Sequence, residues 1–471
     1  MKTMNDYCRE KFGKKLYKLS LDGGFTCPNR DGKKGTGGCI FCSASGSGDF
    51  AEAGSDINIQ IEKAKARVSG KIKDGGFIAY FQSFTSTYAP TEKLEALFSE
   101  AVNHPDIDVL SVATRPDCLS DDTVELLGRL NTVKPVWVEL GLQTVKKESI
   151  DYINRCYENE EYESAVKRLH EKGIYVITHI ILGLPGENRE DMKNTLLFAI
   201  KNKTDGVKLQ LLHILKDSRL YEEYLKENVR TLEKDEYIAL LRELIPLIPE
   251  DTAVHRLTGD GNKKTLVSPL WSADKKSVLN SINKMIKELT ENKEYIFRPI
   301  EKEEIPMMFD IIQSRVKWMD EVGIKQWNVT NYAEVYPLGY FEEHRKNGEV
   351  FVLTEKKSGE IVAAAVLKKE DDRWESVPDY KTVSALYLHN FAVRLDKKGT
   401  GKIFLRLAEE YAKEKGIECF RLDSADDNKK LEAYYTEKGY KEKGSCVDGL
   451  YTGILREKRL NGKQSGALQL N

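Results

Sequence analysis

No stretch of this 471-residue chain approaches the roughly 18 consecutive apolar residues that a membrane-spanning helix needs. The opening residues, Met1-Lys2-Thr3-Met4-Asn5-Asp6, carry no apolar run of the secretory type, so a cytoplasmic protein is expected. Neither charge is in excess. Lys and Arg number 73 against 75 Asp and Glu, a net charge of −2, so nothing global advertises a nucleic-acid partner, and only a local basic groove would serve one. Cysteine is scarce at eight residues, which excludes a disulfide scaffold and fits a reducing compartment. What remains, 40% hydrophobic and 31% charged residues, is the balance of a globular protein long enough for two domains.

Three of those cysteines nevertheless crowd into one loop, Cys27-Pro-Asn-Arg-Asp-Gly-Lys-Lys-Gly-Thr-Gly-Gly-Cys39-Ile-Phe-Cys42, with spacing C-x11-C-x2-C. Three thiolates on one flexible segment suit three irons of a [4Fe–4S] cluster and leave the fourth iron open to an outside ligand. Gly32, Gly35, Gly37 and Gly38 let the backbone curl around such a cluster and offer it N–H groups, and Phe41 would shield it from water. The alternative is a structural zinc loop. Zinc sites of that kind close with four ligands, yet no Cys or His lies between Cys42 and His104, and only Cys8 is near on the other side. The remaining cysteines read as ordinary thiols.

A β-then-α rhythm surrounds this loop. After a short polar lead, apolar strands are expected at 15–21, 77–82, 109–114, 136–141, 175–182 and 206–212. Helical patterns follow at 91–102, 120–130, 163–172 and 189–202, and helices continue to about 289. Strands this apolar are buried on both faces of a parallel sheet, which gives an α/β protein; periodicity does not separate a curved, partial (β/α)6 barrel from an open sheet. The cysteine loop leaves the C-terminal end of the first strand, the end where such sheets hold their chemistry. Glu139, flanked by Val138 and Leu140 in a buried strand, is too costly to leave unpaired and reads as functional. His179 and His213 read equally as proton-handling groups or as hydrogen-bonded core histidines.

A polar stretch at 289–295 reads as a linker, and a second pattern follows it. Strands at 349–354, 361–367 and 384–393 lead to Asp396-Lys-Lys-Gly399-Thr-Gly401-Lys402, which opens a helix. Glycines between strand and helix present backbone N–H groups and a helix N-terminus to an anion, here a pyrophosphate. A plain β–α turn is the alternative until the context is added: strand 419–423, then Asn428 and Tyr434-Tyr435. The tail beyond 456 is polar and is expected to lack a fixed structure.

Cys39-Ile-Phe-Cys42 resembles the signature of radical S-adenosylmethionine (radical SAM) proteins. The longer string Leu19-Ser-Leu-Asp-Gly-Gly-Phe-Thr-Cys27-Pro-Asn-Arg-Asp-Gly is similar to their YhcC/YtqA-like branch, related to the Elongator catalytic subunit, in which the wide first cysteine spacing recurs. The resemblance implies the partial (β/α)6 barrel over residues 1–288. It also implies S-adenosylmethionine (SAM) on the open iron and its one-electron cleavage to a 5′-deoxyadenosyl radical. Gln82 stands where most of the family carries a Gly-Gly-Glu for the SAM amino group. Glu139, Gly141 and Gln143 look like the segment contacting the ribose and methionine, Arg155 matches an arginine for the carboxylate, and Gly183–Glu187 a turn near the adenosine. His255 and Arg256 resemble residues that reach substrate.

Residues 296–456 look like an α/β GNAT acetyltransferase domain binding acetyl-CoA. By that resemblance Lys398, Gly399, Thr400, Gly401 and Lys402 grip the pyrophosphate, Asn428 contacts the CoA arm, and Tyr435 is the catalytic acid for the leaving thiolate. Asp396 replaces the family's Gln or Arg, and a carboxylate there would repel the pyrophosphate. The implied activity is side-chain chemistry on a tRNA wobble uridine, with a flavodoxin or ferredoxin as electron donor and Phe84 and Tyr88 as base-stacking candidates. The alternative is a radical SAM enzyme on a protein or metabolite joined to an independent small-molecule acetyltransferase. The segment 315–327 resembles acetyltransferases of that type, and no cysteine between Cys156 and Cys419 offers the zinc element that joins the Elongator domains.

Overall fold

The computed structural model describes residues 1–460 apart from 45, 47–55, 69, 71–74, 260, 325, 330, 379 and 450; the tail expected beyond 456 is strand as far as Arg459, and from 461 onward it lies outside the described residues. The chain divides into two units at Ile286 and Lys287.

The stretch expected as a polar lead folds as β1 (Lys2–Thr3) and α1 (Met4–Phe12). The Thr3 hydroxyl accepts from the Asp6 amide while the Asp6 carboxylate accepts from the Thr3 amide, and Gly13 ends the helix at a φ of +70°. Met4, Tyr7, Cys8 and Phe12 pack with Leu16, Ile78 and Trp137, so a segment that reads polar closes the sheet's underside with its apolar stripe.

Then follow β2 (Leu16–Leu21), α2 (Ile57–Val68), β3 (Gly76–Phe81), α3 (Thr91–Asn103), β4 (Ile107–Thr114) and α4 (Asp121–Asn131). The alternation continues through β5 (Val136–Gln143), α5 (Lys147–Tyr152), α6 (Asn159–Glu171), β6 (Tyr175–Leu182), α7 (Arg189–Lys201) and β7 (Gly206–Leu211). β2 to β7 pair in parallel in chain order, the six strands expected of a curled half-barrel. Alternate residues face opposite sides. Ile78 and Tyr80 of β3 point into the lumen, while Phe81 packs outward on Phe98 of α3 with ring centroids 5.0 Å apart.

The helical run expected after the sixth strand is interrupted. β8 (Ile214–Leu215), α8 (Leu220–Leu225), α9 (Lys234–Leu244), β9 (Ala253–Arg256), β10 (Leu266–Ser268) and α10 (Lys275–Glu294) follow. β9 joins β7 in parallel and β1 joins β9, extending the sheet to eight strands; β9 has only four residues, too few to show a period. The polar stretch read as a linker is the end of α10, whose buried residues Val278, Ile282 and Met285 stop before it.

In the second unit β11 (Tyr295–Pro299), α11 (Ile305–Val322), α12 (Tyr332–Val335) and α13 (Leu338–Lys346) precede β12 (Val350–Glu355), β13 (Ile361–Lys368) and β14 (Ala385–Val393). α14 (Thr400–Glu414), β15 (Cys419–Ala425), α15 (Lys429–Glu437), β16 (Lys441–Asp448) and β17 (Tyr451–Arg459) complete it. The sheet runs β11-β12-β13-β14-β15-β17-β16 and is antiparallel except between β14 and β15. Phe351 and Leu353 face one core with Phe404 and Ala408 of α14; Val350 and Val352 face another with Met308 and Ile312 of α11.

The parallel pair positions the site. β14 and β15 pair only from Ala385↔Cys419 to Leu388↔Leu422, after which β14 stays with β13 up to Val393 and a wedge opens between the two strands. A register shift against β13, with Asn390 at a φ of +53°, lies at that fork.

Behind the wedge, Arg421 donates Nε and Nη2 to Glu457 at 2.9 and 2.8 Å, and Nη1 to the Tyr380 carbonyl and the Tyr387 hydroxyl. Arg421 is nearly fully buried, as is Glu457. Replacing Arg421 by Met strands that carboxylate beside Lys443 alone, and a loss of about 3 kcal/mol is expected in denaturant unfolding of the second unit. A change within 0.5 kcal/mol would show that the pair contributes nothing net.

Candidate active sites

The cysteine loop leaves β2 and doubles back over the C-terminal strand ends. The Arg30 and Asp31 amides donate to the Cys27 carbonyl at 2.8 and 3.3 Å, the Gly38 amide to the Asn29 carbonyl at 2.7 Å, and the Cys42 amide to the Cys39 carbonyl at 3.0 Å. The loop is pinned to the β5–α6 segment through Asn154, whose side-chain amide donates to the Gly38 carbonyl at 2.9 Å. Cys27, Cys39 and Cys42 then line one cavity of about 160 Å³ together with Gln82, Glu139, Gly141, Gln143 and Arg155, so the structure brings these eight residues singled out in the sequence together. Phe41 and Phe84 line it as well, Phe84 beneath the Arg30 guanidinium at 5.3 Å; Tyr88 instead lies under Lys33. A Cβ on Gly141 would sit 2.7 Å from Gln143 Nε2, so a larger residue there would displace that amide.

Glu139 is 1% exposed and is surrounded by donors from five other strands and positions. The Tyr80 hydroxyl donates at 3.0 Å, Ser111 at 2.9 Å and His179 Nε2 at 2.7 Å, and the Lys18 and Lys208 ammoniums both pair with it. Burial alone would raise its carboxyl, but the two lysine charges and the His179 hydrogen bond hold it well below the usual carboxylate range. Glu139 is therefore an ionised hub whose own oxygens are occupied. His179 sits between Glu139 and Gln210, 3.1 Å away, and burial together with the Lys208 charge pushes it down to about 4, so it is neutral.

Arg155 departs from its expected place on a ligand carboxylate. Nε and Nη2 donate to the Tyr157 carbonyl, Nη1 to those of Leu142 and Thr144, and Nη2 to Asn159 Oδ1, all at 2.8 to 3.0 Å. Every N–H is spent on its own loop, which makes it a brace of the cavity wall. Arg115, missed in the sequence because it follows β4 without a motif, lines the same cavity and is held by Asp117 through Nε and Nη2 at 2.9 Å. Arg256 lines the cavity as expected; His255 belongs to the floor instead, edge-on to Trp137 at 5.4 Å. His213 is a hydrogen-bonded core histidine, 3.0 Å from the Ser272 hydroxyl.

The donor set fits a cluster: three cysteines from one loop, with the guanidiniums of Arg30, Arg115 and Arg256 lining the same cavity.

In the second unit a cavity of about 750 Å³ fills the wedge, within the usual range for a small-molecule site. Lys398, Gly399, Gly401, Lys402, Asn428 and Tyr435 line it. Gly399 takes a φ of +91° directly before α14, a conformation that a side chain would strain. Thr400 turns its hydroxyl back to the Lys397 carbonyl at 2.8 Å, and its amide donates to the same carbonyl at 3.4 Å. Asn428 caps α15 by accepting from the Leu431 amide at 3.1 Å. Burial raises the Tyr435 phenol, which keeps it protonated as an acid must be. The Asp396 carboxylate does not face an anion unmatched, because Arg394 pairs with it through Nε and Nη2 at 3.0 and 2.8 Å. Arg373, His389, Asn390 and Asp423 also line the wedge, and no motif marks them.

Because His179 stays neutral while an unfolded histidine charges near pH 6.5, each pH unit lost between 6.5 and about 4 costs the folded state about 1.4 kcal/mol. Urea unfolding of the first unit at stepped pH is expected to show this slope and His179→Gln to flatten it; equal slopes would show that the ring titrates normally.

The Radical SAM superfamily model matches residues 30–199, the Radical_SAM C-terminal domain 204–288 and the Acetyltransferase (GNAT) family 313–440. The protein YtqA of Bacillus subtilis (strain 168) is 43% identical over 302 residues, covering 64% of this chain and 94% of its own. YhcC of Escherichia coli (strain K12) is 33% identical over 279 residues, covering 59% of this chain and 89% of its own. A tRNA uridine(34) acetyltransferase of Methanocaldococcus infernus is 23% identical over 354 residues, covering 72% of this chain and 61% of its own. The chain belongs to the radical SAM superfamily, in the YtqA and YhcC branch, and is an enzyme with a GNAT-family acetyltransferase domain fused behind the barrel.

Proposed function

We propose that the barrel is a radical SAM enzyme with a [4Fe–4S] cluster on Cys27, Cys39 and Cys42, acting on the side chain of a tRNA wobble uridine. The second unit would be an acetyl-CoA-dependent N-acetyltransferase. The observation that carries the first half is the convergence of the three cysteines and the strand-end side chains on one cavity at the C-terminal edge of a parallel sheet. When bound, the cluster and SAM supply one electron and a 5′-deoxyadenosyl radical able to take hydrogen from an unactivated carbon.

The chain's own residues bind and orient. Arg115 replaces Arg155 as the guanidinium for the methionine carboxylate, since Arg155 has no donor to spare. Gln82 and Gln143 offer amide groups at the strand ends. The Glu139 hub holds Lys18, Lys208 and His179 in place at the cavity. A tRNA substrate is supported by the similarity to the tRNA uridine(34) acetyltransferase of M. infernus, which spans both units. Such a base must be splayed out of its stack to enter. The setting is a reducing cytoplasm, with a flavodoxin or ferredoxin as donor.

Mass spectrometry of nucleosides from bulk tRNA tests this. A wobble-uridine derivative is expected to vanish both on deletion and in Cys39→Ala. Tyr435→Phe is expected to accumulate a species lighter by one acetyl group, with transfer slowed at least about 100-fold. An unchanged profile in every strain would remove tRNA as the substrate and favour a protein or metabolite.

A further inference from the structure

The acetyltransferase cavity has two ends of different chemistry. Lys398 and Lys402 flank Gly399 at one end, where a pyrophosphate would sit. His389 is four residues back along β14 from Val393, roughly 13 Å at 3.3 Å per residue, and marks the other end in the fork with β15.

At that far end Arg373 is the centre of a cluster. Its Nε lies 3.2 Å from Asp371 Oδ1 and its Nη1 3.3 Å from Asp423 Oδ1, while Nη2 bonds to His389 Nδ1. The Tyr451 hydroxyl donates to Asp423 Oδ2 at 2.7 Å. A guanidinium has only hydrogens to give, so His389 Nδ1 is the acceptor and Nε2 carries the ring's proton. Two carboxylates, Asp371 and Asp423, thus face one guanidinium, so negative groups outnumber it there.

Part of the lining is aromatic. Trp327 stacks on Tyr332 with centroids 4.9 Å apart, Tyr336 lies tilted against Tyr332 at 4.8 Å, and all three line the cavity. Faces of this kind attract cations. His389 is 8% exposed, lines the cavity and lies 3.3 Å from an Asp371 oxygen, but Nε2 makes no hydrogen bond with it or with any described residue. A buried N–H left over at a cavity wall marks a place that a ligand atom completes.

Taking the cavity as an acetyl-CoA site, we infer that its acceptor is a cationic primary amine with a neutral oxygen nearby, an amino alcohol in its simplest form, and without a carboxylate. Asp423 and the aromatic faces take the ammonium, and His389 Nε2–H donates to the hydroxyl oxygen. The ammonium first releases one proton to solvent. Its nitrogen then attacks the thioester carbon, the C–N bond forms and the C–S bond breaks. Tyr435 gives its proton to the departing thiolate and regains one from the new amide nitrogen. The products are the amide, the CoA thiol and the one released proton. A carboxylate on the acceptor would meet those two carboxylates and be rejected.

Three molecules of nearly equal size separate these demands: 3-aminopropan-1-ol, n-butylamine and β-alanine. With the full-length reconstituted protein, acetyl-CoA binding is measured by calorimetry and transfer by release of CoA thiol. Aminopropanol is expected to exceed butylamine and β-alanine in kcat/KM by at least about tenfold. Asp423→Asn is expected to lower the aminopropanol value by a similar factor with acetyl-CoA affinity unchanged, and His389→Phe to abolish the preference over butylamine. If acetyl-CoA binds but β-alanine is taken as well as aminopropanol, or no amine reacts, the inference falls and the acetyl-CoA reading stands. If acetyl-CoA does not bind, both fall.

Discussion

A carboxylate cannot be buried inside a sheet without partners, and Glu139 shows what that constraint builds. Two ammoniums, a histidine, a phenol and a hydroxyl converge on it from β2, β3, β4, β6 and β7. Left without these partners, the carboxylate would cost several kcal/mol in a low-dielectric lumen. The hub therefore locks the register of neighbouring strands and, through it, the height at which Gln82, Arg115 and Gln143 reach the rim. The cysteine loop is held separately, by Asn154, by the Ile40 amide on the Ile153 carbonyl and by Arg30 on the Ser43 and Ala44 carbonyls.

The second unit solves a different problem with the same economy. Two parallel strands that stop pairing must satisfy their freed backbone and side-chain groups by other means. β14 stays with β13, β15 with β17, and the space between them becomes the cavity. Arg421 and Glu457 stiffen β15 from behind, while Arg373 gathers Asp371, His389 and Asp423 at the fork. Charge is thus graded along one strand: basic by the glycine turn, acidic and aromatic where the strands part.

Much of this was readable in the residues. Apolar runs such as Tyr175–Leu182 gave the six parallel strands with boundaries shifted by one or two residues, because strands buried on both faces allow few polar side chains. Other elements were not. β1, α1 and β9 are short or half polar, and each is stabilised by packing on segments distant in the chain. Arg155 and Asp396 mark the same limit in the sites. By position Arg155 was assigned to a ligand carboxylate and Asp396 to repulsion of a pyrophosphate, yet the guanidinium of one is consumed by four acceptors around its own loop and the carboxylate of the other pairs with Arg394.

The sequence by itself determined the chemistry available: three thiols within one glycine-rich loop behind a strand, a glycine turn before a helix, and a tyrosine after it. Those are local patterns, and the geometry they impose extends over a few residues. Only the tertiary structure decided what each group meets. Lys18 and Glu139 are 121 positions apart, and His389 and Asp371 reach Asp423 from separate elements. Hydrophobic periodicity states which face of a strand is buried, but not which residue of the next strand lies beside it; register does that. The ionised hub, the braced arginine and the acidic fork all follow from register.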